Sequence, residues 1–148
     1  MIVKNLENNQ TVALKDAIWL ERGEYSNLLE NAQMSVTGAL ILQITPKFIN
    51  IPITIQNATS NSGLINQITA NTFLQWCNYQ SGDLAALQSG TYTPPRIQVS
   101  LEYLNDARVF VCNFIYEKPF SYKAAAKDDV ESVTDNLYSF SLKLRTIE

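Results

Sequence analysis

The chain of 148 residues contains no histidine. That removes the commonest general base and the commonest metal ligand, and it rules out any Ser-His or Cys-His dyad. Charge is also scarce: 17% of residues are Asp, Glu, Lys or Arg, with a net charge of −3 and no cluster of Lys and Arg. A nucleic-acid partner is therefore not expected, because phosphate neutralisation needs a basic patch. There are two cysteines, Cys77 and Cys112, in different expected elements and each flanked by apolar residues. They read as two free, buried thiols, with a disulfide between them as the alternative that no secretory context supports. No run approaches the roughly 20 apolar residues of a membrane span, and residues 1–10 lack the apolar stretch of a signal peptide. No Gly-x-Ser-x-Gly elbow, P-loop or dinucleotide fingerprint occurs. No catalytic, cofactor-binding or metal-binding residue is expected, and the chain does not read as an enzyme.

What is present is apolar, β-branched and alternating. Hydrophobic residues make up 46% of the chain, enough to bury a core in one domain of residues 1–148. The remaining surface is left to Asn, Gln, Ser and Thr. Neutral polar surface is cheap to desolvate, which suits a subunit that packs against copies of itself, and equally suits plain loops.

Residues 1–10 are polar and Asn-rich, and read as a flexible arm or an edge strand. Thr11–Leu20 alternates loosely and breaks near Lys15-Asp16, with Trp19 expected to face away from Ile18. Arg22-Gly23-Glu24 reads as a turn, and residues 25–33 as a helical turn or loop. Ser35–Thr45 is apolar in both phases of its second half, which predicts a strand covered on both faces. Ile51–Gln56 follows as a neighbouring strand. Asn57-Ala58-Thr59 matches a glycosylation sequon and is read as a chance match.

One amphipathic helix is expected, capped by Thr69 or Asn71, with Phe73, Trp76 and Cys77 on one stripe. The connection 81–95 holds Gly82, Gly90, Pro94 and Pro95, with a short element around Leu84–Leu87. Ile97, Val99 and Leu101 predict a strand. Asn105-Asp106 predicts a hairpin turn into Val109–Tyr116, and Phe120–Tyr122 continues it. Asp128, Asp129 and Glu131 fall in a solvated connector. Leu137–Leu144 alternates cleanly, with Tyr138, Phe140, Leu142 and Leu144 on one face. The fold expected is mainly β (α+β): an antiparallel β-sandwich or barrel-like domain with one flanking α-helix.

The order of these segments resembles a family of small bacteriophage and prophage tail structural proteins, of distal-tail or tail-tip type. The residues carrying the resemblance are Thr37-Gly38-Ala39-Leu40, Pro52-Ile53-Thr54-Ile55-Gln56, the helix ending near Trp76, Asn105-Asp106-Ala107-Arg108-Val109-Phe110, and Leu137–Leu144. They span roughly residues 12–147. Asn50-Ile51 stands where the family tends to carry Gly-Arg, and the connection from Tyr79 to Arg96 is longer. The resemblance implies a structural component of a long-tailed virion tail, made in the host bacterial cytoplasm. It implies a homo-oligomeric ring of three or six copies that links the tail tube to the tail-tip hub and receptor-binding apparatus.

The residues singled out as a possible interface are Trp19, Arg22, Glu24 and Tyr92. Trp and Tyr anchor interfaces, Arg22 and Glu24 offer an intersubunit ion pair, and Tyr92 sits in the connection 81–95 between Gly90 and Pro94. The alternative is a small monomeric carbohydrate- or ligand-binding β-sandwich module that uses exposed aromatics.

Overall fold

The computed structural model describes residues 1–23, 28–46, 50–78, 81–101, 108–124 and 137–147. Among these the elements run β1 (Ile2–Asn5), β2 (Thr11–Ala13), β3 (Ala17–Trp19), β4 (Leu28–Met34), β5 (Leu40–Pro46), β6 (Pro52–Asn57), β7 (Ile65–Asn66), α1 (Gln67–Cys77), α2 (Leu84–Ser89), β8 (Ile97–Ser100), β9 (Val109–Phe114), β10 (Phe120–Ala124) and β11 (Leu137–Thr146), with 3-10 turns at Leu20–Gly23 and Ser81–Asp83. The protein is mainly β. Nine strands form one antiparallel sheet, and β4 and β5 form a separate hairpin.

β11 is the spine of the large sheet. Along one edge it pairs first with β10, from Ala124 opposite Tyr138 to Phe120 opposite Leu142, and then with β9, from Phe114 opposite Leu144 to Cys112 opposite Thr146. β9 and β10 are thus one interrupted strand. Residues 115–119 loop out between them, with Lys118 at φ +57°. Lys143 closes the neck of that loop: its carbonyl accepts from the Ile115 N–H at 3.0 Å and its own N–H donates to the Pro119 carbonyl at 2.8 Å. The opposite edge of β11 pairs with β7 and β6, and residues 58–64 loop out between those two.

The sheet runs β2-β1-β8-β9-β11-β6-β3. Its two outermost strands, β2 and β3, are consecutive in the chain and separated only by Leu14, Lys15 and Asp16. So short a link spans at most about 14 Å, and the sheet must curl until its two ends meet, giving a barrel-like closure. The expected break at Lys15-Asp16 is this corner, and Asp16 takes φ +55° there. The Asp16 carbonyl accepts from the Ala58 N–H at 3.2 Å.

Inside lie Val3, Ile53, Ile55, Ile97, Val99, Cys112, Phe114, Leu142 and Leu144, all fully buried. The clean alternation expected of Leu137–Leu144 holds, since Phe140, Leu142 and Leu144 are buried and Lys143 and Arg145 are exposed. β8 and β9 also pair as expected, although the Asn105-Asp106 turn lies outside the described residues, as does the connector holding Asp128, Asp129 and Glu131. α1 packs on β7, β10 and β11. Phe73 lies at 5.4 Å from Phe120 and 6.4 Å from Phe140 between ring centres, and the Trp76 indole N–H donates to Gln10 Oε1 at 2.8 Å.

Four expectations are corrected. Residues 2–5 are neither arm nor edge: β1 pairs with β2 on one side and β8 on the other, and Val3 is wholly buried. Polar flanks had hidden a four-residue strand. The helix cap is Asn66, whose Oδ1 accepts from the Thr69 N–H at 2.8 Å, so the helix begins earlier than Thr69. Residues 28–33 belong to strand β4. Finally, β5 is not a covered strand and does not lie beside β6. Among the described residues it pairs only with β4, and its described side chains are exposed.

Candidate functional site

The hairpin β4–β5 carries the feature that needs a function. Its turn follows from sequence: the Gly38 N–H donates to the Ser35 carbonyl at 2.9 Å, the Ser35 N–H donates to the Ala39 carbonyl at 2.8 Å, and Gly38 takes φ +84°. This is a three-residue loop closed by a left-handed glycine, a common hairpin connection. The Ser35 hydroxyl oxygen adds a bond from the Ala39 N–H at 2.9 Å.

The register then sorts the side chains. Leu28 lies opposite Pro46, Glu30 opposite Ile44, Ala32 opposite Leu42 and Met34 opposite Leu40. Successive residues of a strand alternate faces, so Leu28, Glu30, Ala32, Met34, Leu40, Leu42 and Ile44 share one face. Asn31 opposite Gln43 and Gln33 opposite Ile41 share the other. The ribbon is therefore amphipathic: one face is apolar apart from Glu30, and the other sets Asn31, Gln33 and Gln43 beside Ile41 and Thr45. Nothing described covers the apolar face: Leu28, Met34, Leu40, Leu42 and Ile44 are each more than half exposed, and Val36 at the tip reaches 107%. Glu30 is the hairpin's single charged residue.

A second feature lies where three chain segments meet. Cys77 and Asn78 at the end of α1, Leu87 of α2, Tyr92 and Pro94 of the following connection, and Tyr116 of the 115–119 loop line an apolar cleft of about 370 Å³. Gly90 ends α2 at φ +73°, and the Thr91 and Tyr92 N–H groups both donate to the Ala86 carbonyl, which turns Tyr92 back towards the cleft. Burial, followed by the neighbouring Tyr92 and Cys77, pushes the Tyr116 phenol up to about 12. Burial also raises Tyr92, with Asp83 adding to the effect. The Cys77 thiol is raised by burial as well. All three are thus neutral at pH 7, and the cleft presents an uncharged, aromatic lining.

The four expected interface residues do not form one site. Trp19 is 3% exposed and packs edge-on against Phe110 at 5.4 Å, with the Arg108 guanidinium over its ring. It faces away from Ile18 as expected, but into the core, so it is not an interface anchor. Burial of a large indole on a closed sheet outweighed its appeal as a contact residue. Arg22 is half-buried in the 3-10 turn, and Glu24 lies outside the described residues. The neighbouring Glu21 has an internal role: its carboxylate accepts from both the backbone N–H and the hydroxyl of Thr54, which ties that turn to β6. Tyr92 is half-buried and lines the cleft. The sequence signal missed was the period-2 pattern of residues 28–34 facing that of 40–46, obscured by Glu30, Asn31 and Gln33.

Both cysteines are free. No helix among the described residues is long and apolar enough to cross a membrane. Neither a protein-family model, a curated protein nor a solved structure matches this chain.

Proposed function

We propose that the protein is a structural, non-enzymatic subunit that assembles with copies of itself into a ring, as a distal-tail or tail-tip component of a long-tailed bacteriophage. One observation carries the assembly half of this reading: an amphipathic hairpin whose apolar face is open. Two-stranded hairpins are marginal in water by themselves, and an antiparallel ribbon with one apolar face gains stability only when that face is covered. Contiguous exposed apolar surface of this kind marks an interaction site. The tail assignment rests on the resemblance in segment order and on the chemistry absent from the sequence. The ring would join the tail tube on one side and the tip on the other.

The test is the solution mass by light scattering, with negative-stain images of the same sample. A discrete particle of three or six copies supports the reading. A monomer that persists at high concentration overturns self-assembly. The cleft beside Tyr92 and Tyr116 then favours the alternative, a monomeric module binding a carbohydrate or another small ligand against its aromatic lining, and a glycan screen would follow.

A further inference from the structure

The chain carries an uncovered apolar arm and, elsewhere on its surface, an uncovered apolar cleft. We infer that the tip of the β4–β5 hairpin of one copy seats in the Cys77–Leu87–Tyr92–Tyr116 cleft of the next copy. This inference rests on the assembly reading above and names the surface that completes it.

Three observations support a second copy as the occupant. The first is area. Leu28, Met34, Val36, Leu40, Leu42 and Ile44 together expose on the order of 600 Å² of apolar surface, against the roughly 800 Å² that each partner contributes to a stable interface, so a copy that takes the tip into its cleft must also lie along the rest of the apolar face. The second is chemical match. The tip presents Met34, Val36 and Leu40 without a charge, and the cleft offers Leu87, Pro94 and two neutral tyrosines. A cleft of about 370 Å³ accommodates a few aliphatic side chains and not a folded domain. The third is geometry. Each seven-residue strand of the hairpin extends about 24 Å, long enough to cross between neighbouring bodies. Arm and cleft are different surfaces of the same chain, so their contact is heterologous. Contacts of that kind repeat head to tail and close into a ring when the rotation allows.

The cleft supplies its own probe. Cys77 lines it and is half-buried, whereas Cys112 is wholly buried. Val36 projects fully into solvent, so V36C leaves the fold intact. A thermal melt superimposable on that of the unmodified protein verifies this. The purified V36C protein is oxidised with copper phenanthroline, run on a non-reducing gel, and digested for peptide mass mapping. The expected result is a ladder of covalent oligomers joined between the introduced thiol and Cys77, lost in V36C/C77S. A crosslink that persists in V36C/C77S means that tips meet tips, and overturns the inference. Oligomers seen by light scattering without any crosslink put the hairpin elsewhere on the neighbour. They overturn the seat while leaving the assembly reading standing. A protein that stays monomeric at all concentrations overturns both.

Discussion

The side chain of Asn57 fills a gap in the sheet: its Oδ1 accepts from the backbone N–H of Phe140 at 3.1 Å, where β6 has left β11. The same amide donates to the Thr59 carbonyl at 2.7 Å, fixing the first turn of the 58–64 loop. Asn57 therefore serves as a joint in the fold, and its match to a sequon is incidental to that role.

Asn57→Ala is expected to destabilise the protein by about 1–2 kcal/mol, since it strands a partly buried N–H. Asn57→Asp keeps the acceptor and loses only the bond to Thr59, so its cost should be smaller. Urea denaturation of the two variants checks the order. Equal losses would mean that the Thr59 bond carries the effect.

Leu142 and Leu40 look alike in the sequence and differ in the structure. Leu142 is 0% exposed and Leu40 is 61% exposed. Leu142→Ala should cost about 2–5 kcal/mol through lost burial and a cavity. Leu40→Ala should leave the isolated subunit within about 0.5 kcal/mol of the original and should weaken assembly. Thermal melts paired with light scattering distinguish a stability effect from an assembly effect.

Gly63 stands over the corner that closes the barrel. It takes φ +76°, and a Cβ there would lie 2.3 Å from the Asp16 carbonyl oxygen and 2.9 Å from the Ala58 nitrogen. Gly63→Ala must move backbone and is expected to cost more than about 2 kcal/mol. Gly90→Ala is the matched control. Its φ is +73° but open space surrounds it, so only the backbone strain of about 1–2 kcal/mol applies. Similar melting temperatures for the two variants would show that the corner is not clamped by the 58–64 loop.

Alkaline pH should reveal the buried Cys112 thiol and the partly exposed Tyr116 phenol. Burial pushes Cys112 from 9.0 to about 12, and Tyr116 moves from 10.0 to about 12. Both folded values are raised, so the protonated forms stabilise the fold. Their contribution is complete below pH 9 and is lost as pH climbs from 9 to 12. Denaturation midpoints should hold between pH 6 and 8, where neither group titrates, and then decline. Cys112→Ala should flatten the part of that decline that begins near pH 9. An unchanged slope would assign the loss to other groups.

The sequence made the sheet more readable than the exposed apolar hairpin. β8, β9 and β11 announce themselves because each has one face against the core and one towards water, so the alternation survives. β1 was hidden because four residues between polar flanks carry too little pattern, and its burial is decided by partners nearly a hundred residues away at β8. β5 misled for a physical reason. Leu40, Ile41, Leu42 and Ile44 look like a strand covered on both faces, but hydropathy alone does not distinguish apolar residues buried within a chain from those left exposed. Trp19 erred in the opposite sense, an aromatic expected at an interface and found inside. Tyr92, singled out from its place between Gly90 and Pro94, lines the cleft. Its partner in the cleft, Tyr116, was read as part of β9, and only the loop at 115–119 turns it outward.

The position of β11 in the chain also governs when the molecule can form. Synthesis proceeds from the N-terminus, and β11 follows every strand it joins. β6 must wait for Ser141 to pair with Gln56, and β9 and β10 must wait on the same segment. The nascent chain therefore carries unpaired strand edges until Leu137–Thr146 has left the ribosome, and long-range pairing of this sort is slow. The hairpin obeys a different clock. Its strand pairing is local, so it can form within microseconds of emerging. The hairpin can therefore be in place before the sheet beside it is complete.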